Sequence, residues 1–186
     1  MKTKIILHGG FNKINGPIHI NDEFFGEMLK DTLSTVKILL VYFAELPEKI
    51  PERIEQDKEQ LNNNRGLKQL NFRIAEEETF KDDISWADVI YLHGGKTVRL
   101  MEYLNKYQNL KELFFGKIIA GDSAGANALA TVFFSRNSGK IGRGIGLLPI
   151  KIVPHYEYGK PDPFIDIEPQ LETIFLHEYE TKVIYI

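Results

Sequence analysis

The chain has no cysteine among its 186 residues, which removes disulfide frameworks, thiolate metal sites and cysteine nucleophiles in one step. It also lacks any run of about 18 apolar residues, so no membrane-spanning helix is predicted. The apolar part of Met1-Lys2-Thr3-Lys4-Ile5-Ile6-Leu7-His8 is too short for a signal peptide. Charge of one sign is missing too: 23 Lys and Arg stand against 26 Asp and Glu, a net of −3, spread along the chain and not gathered into blocks. The basic footprint of a nucleic-acid binder is therefore absent. Repeats, low-complexity tracts and a clear linker are lacking as well. These absences leave a cytoplasmic protein acting on a small molecule or peptide, without nucleic-acid or membrane partners. The 43% hydrophobic and 26% charged composition is that of an ordinary globular chain, and this length buries a core without staples. Residues 1–186 are expected to fold as one domain, alone or as an oligomer of the same chain.

Short apolar, branched runs recur at Lys4 to Leu7, Val36 to Phe43, Val89 to Leu92, Lys117 to Ala120, Ile150 to Val153 and Lys182 to Ile186, and these predict buried strands. Between them, Asp22 to Leu33, Pro51 to Asn64, Val98 to Tyr107, Ala124 to Phe134 and Glu168 to Tyr179 have helical patterns, with Asn21 or Asp22 and Pro51 at plausible starts. Alternating strand and helix predicts an α/β fold, a mostly parallel central sheet flanked by helices in three layers. Ligands of such sheets gather at the carboxyl ends of the strands. Four segments occupy those ends: His8-Gly9-Gly10, His93-Gly94-Gly95-Lys96-Thr97, Gly121-Asp122-Ser123-Ala124-Gly125 and Pro154-His155-Tyr156-Glu157.

Gly121-Asp122-Ser123-Ala124-Gly125 matches G-x-S-x-G and lies between a predicted strand and a predicted helix, where a nucleophile elbow must lie. The small neighbours allow a sharp turn that lifts a serine hydroxyl out of the sheet, and the first N–H groups of the helix face any anion formed there. The alternative is a glycine-rich turn whose serine only caps the helix. The two glycines of His93-Gly94-Gly95 let backbone N–H groups approach a carbonyl oxygen. Gly94, Gly95 and Ala124 are thus candidates for an oxyanion hole, whereas no phosphate-loop pattern is present. A serine needs a base, and histidine titrates near neutral pH. Of the five histidines His155 is best placed, after a strand at the same sheet edge. His177 falls inside a predicted amphipathic helix, His19 in a loop without a motif, and His93 keeps an open role. His8-Gly9-Gly10 is taken as a structural turn, and Asp122 as a structural or pocket-lining group pointing away from the serine.

Together, His93-Gly94-Gly95-Lys96-Thr97, Gly121-Asp122-Ser123-Ala124-Gly125-Ala126-Asn127 and Val153-Pro154-His155-Tyr156 resemble, in order and rough spacing, the serine peptidase family of dipeptidase E and cyanophycinase. The resemblance covers most of the chain and implies a class I glutamine amidotransferase-like fold. It also implies Ser123 as nucleophile, His155 as base, Gly94 or Gly95 with Ala124 as oxyanion donors, and cleavage of dipeptides with N-terminal aspartate. No cofactor and no metal are implied. The chain departs from the family at three places. The glycine turn carries His93 and Lys96 where the relatives have small residues, and the segment expected to hold the triad aspartate reads Ser135-Arg136-Asn137-Ser138-Gly139. The chain also ends at Ile186, where relatives continue, as in a minimal or shortened variant. Asn137 and Glu157 become the candidates for the third catalytic member. Lys96, Arg99, Arg136 and Arg143 are the candidate cations for an acidic substrate. An esterase or amidase using the same site, and a degenerate binding protein on the same scaffold, are the competing readings.

Overall fold

The computed structural model describes residues 2–11 and 19–186; Met1 and residues 12–18 lie outside the described residues. In chain order the elements are β1 (Lys4–His8), α1 (Asp22–Leu29), β2 (Thr35–Val41), α2 (Ile50–Asn64), β3 (Gln69–Ile74), α3 (Phe80–Trp86), β4 (Val89–Leu92) and α4 (Thr97–Leu104). They continue with α5 (Leu110–Leu113), β5 (Ile118–Asp122), α6 (Ala124–Leu129), β6 (Ala130–Ser135), β7 (Lys140–Arg143), β8 (Leu148–Val153), β9 (Glu172–Phe175) and β10 (Thr181–Tyr185).

The central sheet has the order β10-β1-β5-β4-β2-β3, all parallel except β10, which runs antiparallel to β1. Its inner strands are apolar on both faces because both faces are covered. Successive side chains alternate between those faces. Ile6, Ile38, Leu40, Val89, Tyr91 and Ala120 pack with Phe24, Phe25 and Met28 of α1 and Leu61 of α2. Their neighbours Ile5, Leu7, Leu39, Val41, Ile90, Leu92 and Ile119 pack on the opposite side with residues of α3 to α6. The result is helix, sheet and helix layers. Edge strand β3 alternates exposed and half-buried residues, as a strand at the rim does.

Two predicted helices are corrected. The pattern from Ala124 to Phe134 is helical only to Leu129; Ala130 turns extended with ψ 167°, and Thr131-Val132-Phe133-Phe134 enter β6. These β-branched and aromatic residues suit a pleated, buried surface. The stretch from Glu168 to Tyr179 contains β9 and no helix. It pairs parallel with β8, Ile152 opposite Ile174, so tertiary pairing overrides a helical periodicity. Both strands belong to a second sheet of order β7-β6-β8-β9, an addition to the predicted sandwich. Strand β3 and helix α3 were not predicted either, although Leu70, Phe72 and Ile74 alternate with polar residues. No helix among the described residues is long and apolar enough to cross a membrane.

Candidate active site

The carboxyl ends of β1, β5 and β4 lie side by side, with His8 opposite Asp122 and Gly121 opposite Leu92. The chain leaves β5 through Ser123, whose φ of 46° and ψ of −94° lie outside the ordinary regions for an L-residue. Such strain costs about 1–3 kcal/mol and persists only where surrounding structure enforces it. Here the Ser123 N–H donates to the His8 carbonyl at 3.1 Å. A Cβ on Gly125 would lie 2.2 Å from the Leu92 carbonyl oxygen, and one on Gly121 2.6 Å from the Gly125 backbone, so the elbow closes only with glycine there. The Ser123 hydroxyl does not cap α6. Its Oγ lies 2.9 Å from His155 Nε2.

His155 follows β8 in a left-handed conformation, φ 54°, with its N–H donating to the Gly9 carbonyl at 2.8 Å. Its carbonyl accepts from Arg136 Nη1 at 2.8 Å. The ring rests on Gly10, where a Cβ would stand 2.1 Å from His155 Cε1. The His8-Gly9-Gly10 turn thus seats the imidazole, a role the sequence reading did not assign. The other ring nitrogen, Nδ1, faces Glu178 Oε1 at 3.3 Å. Neither expected third member occupies that position. Glu157 turns its carboxylate to Arg136 and is held below the usual carboxylate range by that hydrogen bond. Asn137 lines the cavity in front of the serine and forms no hydrogen bond with the ring. Glu178 lies in the stretch Glu168 to Tyr179, whose pattern predicts a helix and so hides its approach to the ring. The apolar stretches Thr173 to Leu176 and Lys182 to Ile186, flanking His177-Glu178-Tyr179-Glu180, are the strand–turn–strand signal that would have found it. His177 accordingly sits in that turn, its Nδ1–H donating to the Tyr156 carbonyl at 2.8 Å.

Gly94, Gly95 and Ser123 face one cavity of about 990 Å³, and Ala124, first residue of α6, follows the serine directly. Asp122 turns aside, its Oδ1 accepting from His8 Nδ1 at 2.8 Å in a buried pair. Lys96 and Arg136 line the cavity, as does Lys49, which had not been singled out. Arg99 does not line it, and Arg143 is engaged with Glu168 at 2.6 Å. Among the described residues Lys49 and Lys96 form no ion pair, and no group of three or more His, Asp or Glu is placed to hold a metal.

A serine on a strained strand-to-helix elbow, within hydrogen-bond reach of an imidazole at the edge of a parallel sheet, belongs to the layered α/β serine hydrolases. The model of Peptidase family S51 matches residues 5–186, and the chain belongs to that family; it is a serine-type peptidase. Among solved structures it is similar to a peptidase from an acI-B1 Actinobacterium, with TM-score 0.65 and 20% identity over 99% of this chain and 84% of the other. It is likewise similar to a putative peptidase E protein from Listeria monocytogenes EGD-e, with TM-score 0.65 and 17% identity over 100% of this chain and 98% of the other. No curated protein matches the chain.

Proposed function

We propose that the protein hydrolyses small peptides, Asp-X dipeptides among them, through an acyl-enzyme on Ser123. His155 Nε2 takes the Ser123 proton as Oγ attacks the scissile carbonyl. The tetrahedral oxyanion is received by backbone N–H groups of Gly94 or Gly95 and Ala124. His155 then returns the proton to the departing amine, and water repeats the cycle to release the acid. Glu178 accepts from Nδ1–H, holding the tautomer that leaves Nε2 free to act as base, and favours the imidazolium that forms. The observation that carries this reading is the line Ser123 Oγ, His155 Nε2, His155 Nδ1, Glu178 Oε1, at 2.9 Å and 3.3 Å.

The cavity supports an acidic substrate. Lys49 and Lys96 line it without ion partners among the described residues, and a carboxylate is the group such ammonium donors bind. A recess of about 330 Å³ opens beside His155, walled by the apolar Phe134, Val153, Pro161 and Pro163 together with the charged Arg136, Glu157 and Lys160. Because His155 protonates the departing amine, the apolar walls of that recess suit an apolar side chain on the leaving residue. Turnover of an Asp-X dipeptide library by wild type and Ser123→Ala, beside a panel of simple esters and amides, tests the reading. Preferred cleavage of Asp-X by wild type alone supports it. Equal turnover by Ser123→Ala, or turnover of esters only, refutes it.

A further inference from the structure

The glycine turn after β4 is pinned at both ends by backbone hydrogen bonds. The His93 N–H donates to the Val41 carbonyl at 3.0 Å, and the Lys96 N–H to the Ala44 carbonyl at 2.8 Å. Among the described residues the N–H groups of Gly94 and Gly95 have no hydrogen-bond partner, which leaves them available to a substrate oxygen. Two adjacent glycines populate both signs of φ, and Gly95 sits at φ 142°. The Gly94–Gly95 peptide between the two pins is therefore the part of the turn most able to flip. A flip would replace an N–H donor by a carbonyl oxygen and turn an oxyanion hole into a repulsive wall.

His93 bears on that peptide directly. The residue is 2% exposed, and its Nδ1 lies 2.7 Å from the Gly94 oxygen. Since a carbonyl only accepts, Nδ1 carries the proton. In a trans peptide the C=O and N–H point to opposite sides, so holding the Gly94 oxygen fixes the Gly95 N–H on the other side. Behind the ring, Nε2 faces Asp57 Oδ2 at 3.5 Å. Asp57 is itself buried on α2 and accepts from the Tyr42 hydroxyl at 2.9 Å. Burial pushes its carboxyl up to about 6, with His93 acting against that rise. The carbonyl bond of Nδ1 fixes the proton on that nitrogen, and Asp57 flanks the opposite edge of the ring. The aromatic rings of Tyr42 and Tyr91 stand 5.0 and 5.9 Å from the imidazole and confine it.

We propose that His93 is a positioning residue for the oxyanion hole: its Nδ1–H locks the Gly94–Gly95 peptide with the Gly95 N–H offered to the anion formed at Ser123, and the buried Asp57 holds the ring in that role. This rests on the serine mechanism proposed above. It assigns a task to a histidine that neither attacks nor exchanges a proton with substrate.

The test compares His93→Leu, which removes the donor, with His93→Asn, whose amide N–H lies near the place of Nδ1. An Asp-X dipeptide and a peptide aldehyde that adds to Ser123 serve as probes. Loss of one oxyanion donor lowers kcat by about 100-fold and leaves KM within about threefold, with the aldehyde affinity falling in parallel. His93→Asn is expected to recover about tenfold or more of that loss. Wild-type kcat in His93→Leu, a change carried wholly by KM, or an Asn variant no better than Leu overturns the proposal. If His93→Leu does not fold, His93→Gln, whose donor lies on the Nε2 side, replaces it, and equal rates for Asn and Gln overturn the proposal. Turnover by Ser123→Ala would overturn the serine mechanism and this inference together. A Ser123-dependent enzyme with an active His93→Leu variant overturns only the role of His93.

Discussion

Replacing Glu178 by glutamine separates the carboxylate on the His155 ring from the two polar residues that sequence pointed to. In a full triad the amide costs about four orders of magnitude because it holds the wrong tautomer. The geometry here calls for less. The Nδ1–Oε1 distance is 3.3 Å and the Glu178 side chain is 35% exposed, so the amide is free to turn its oxygen toward Nδ1–H and keep the tautomer. What is lost is the charge on the hydrogen bond. A bond to a charged group is worth about 1.5–3 kcal/mol against about 1 for a neutral one, and the difference of about 0.5–2 kcal/mol corresponds to roughly 2- to 30-fold in kcat/KM. Glu178→Ala, which leaves no acceptor, is expected to lose more, about 100-fold. The Arg136–Glu157 pair is exposed, and solvent screening leaves such a pair little effect. Glu157→Gln is therefore expected to change the rate by less than about fivefold, and Asn137→Ala likewise. The assay is kcat/KM on an Asp-X dipeptide for all four variants. The reasoning fails if both Glu178 variants match wild type while His155→Ala is inactive, which would describe a Ser–His dyad, or if Asn137→Ala is the most damaged of the four.

Gly10→Ala is expected to lower kcat by about 100-fold or more with the fold retained, because the new methyl would occupy the seat of the His155 ring and small displacements of a catalytic group are costly; activity beside thermal unfolding checks it. Lys49→Ala and Lys96→Ala are expected to raise KM for Asp-X dipeptides more than for Ala-X dipeptides, read from a paired substrate series. Asp57 gives a pH signature of stability. Its folded pKa, raised mainly by burial from 3.8 to about 6, means that the folded state holds a proton the unfolded state has lost between those values. Stability from this group is thus full below 3.8 and declines as pH rises through about 6, by about 3 kcal/mol in all. Asp57→Asn is expected to lack that decline, so chemical denaturation of both proteins at pH 4 and 7.5 should show wild type losing ground relative to the variant. Parallel losses in the two proteins would refute it.

The elbow was legible because everything that makes it is local: an apolar strand, small residues around Ser123 and a helix start within a few positions. The parallel sheet was legible for a similar reason, since runs such as Lys4 to Leu7 and Val89 to Leu92 carry their burial in their own composition. His155 could be singled out as the histidine that follows a strand at the correct edge. The partner of its ring could not. Glu178 reaches the imidazole only because β9 pairs with β8, and that pairing is bought by contacts between Ile152 and Ile174 that no window along the chain contains. Asp57 falls among other charges in the predicted helix Pro51 to Asn64, and only the packing of α2 against Tyr42 and His93 buries it. Short-range sequence thus determined the inner strands of the central sheet and where the serine stands, since backbone geometry and side-chain periodicity act over a few residues. Tertiary structure alone decided which polar groups meet around it, because burial and hydrogen bonding depend on segments that approach only when the sheets assemble.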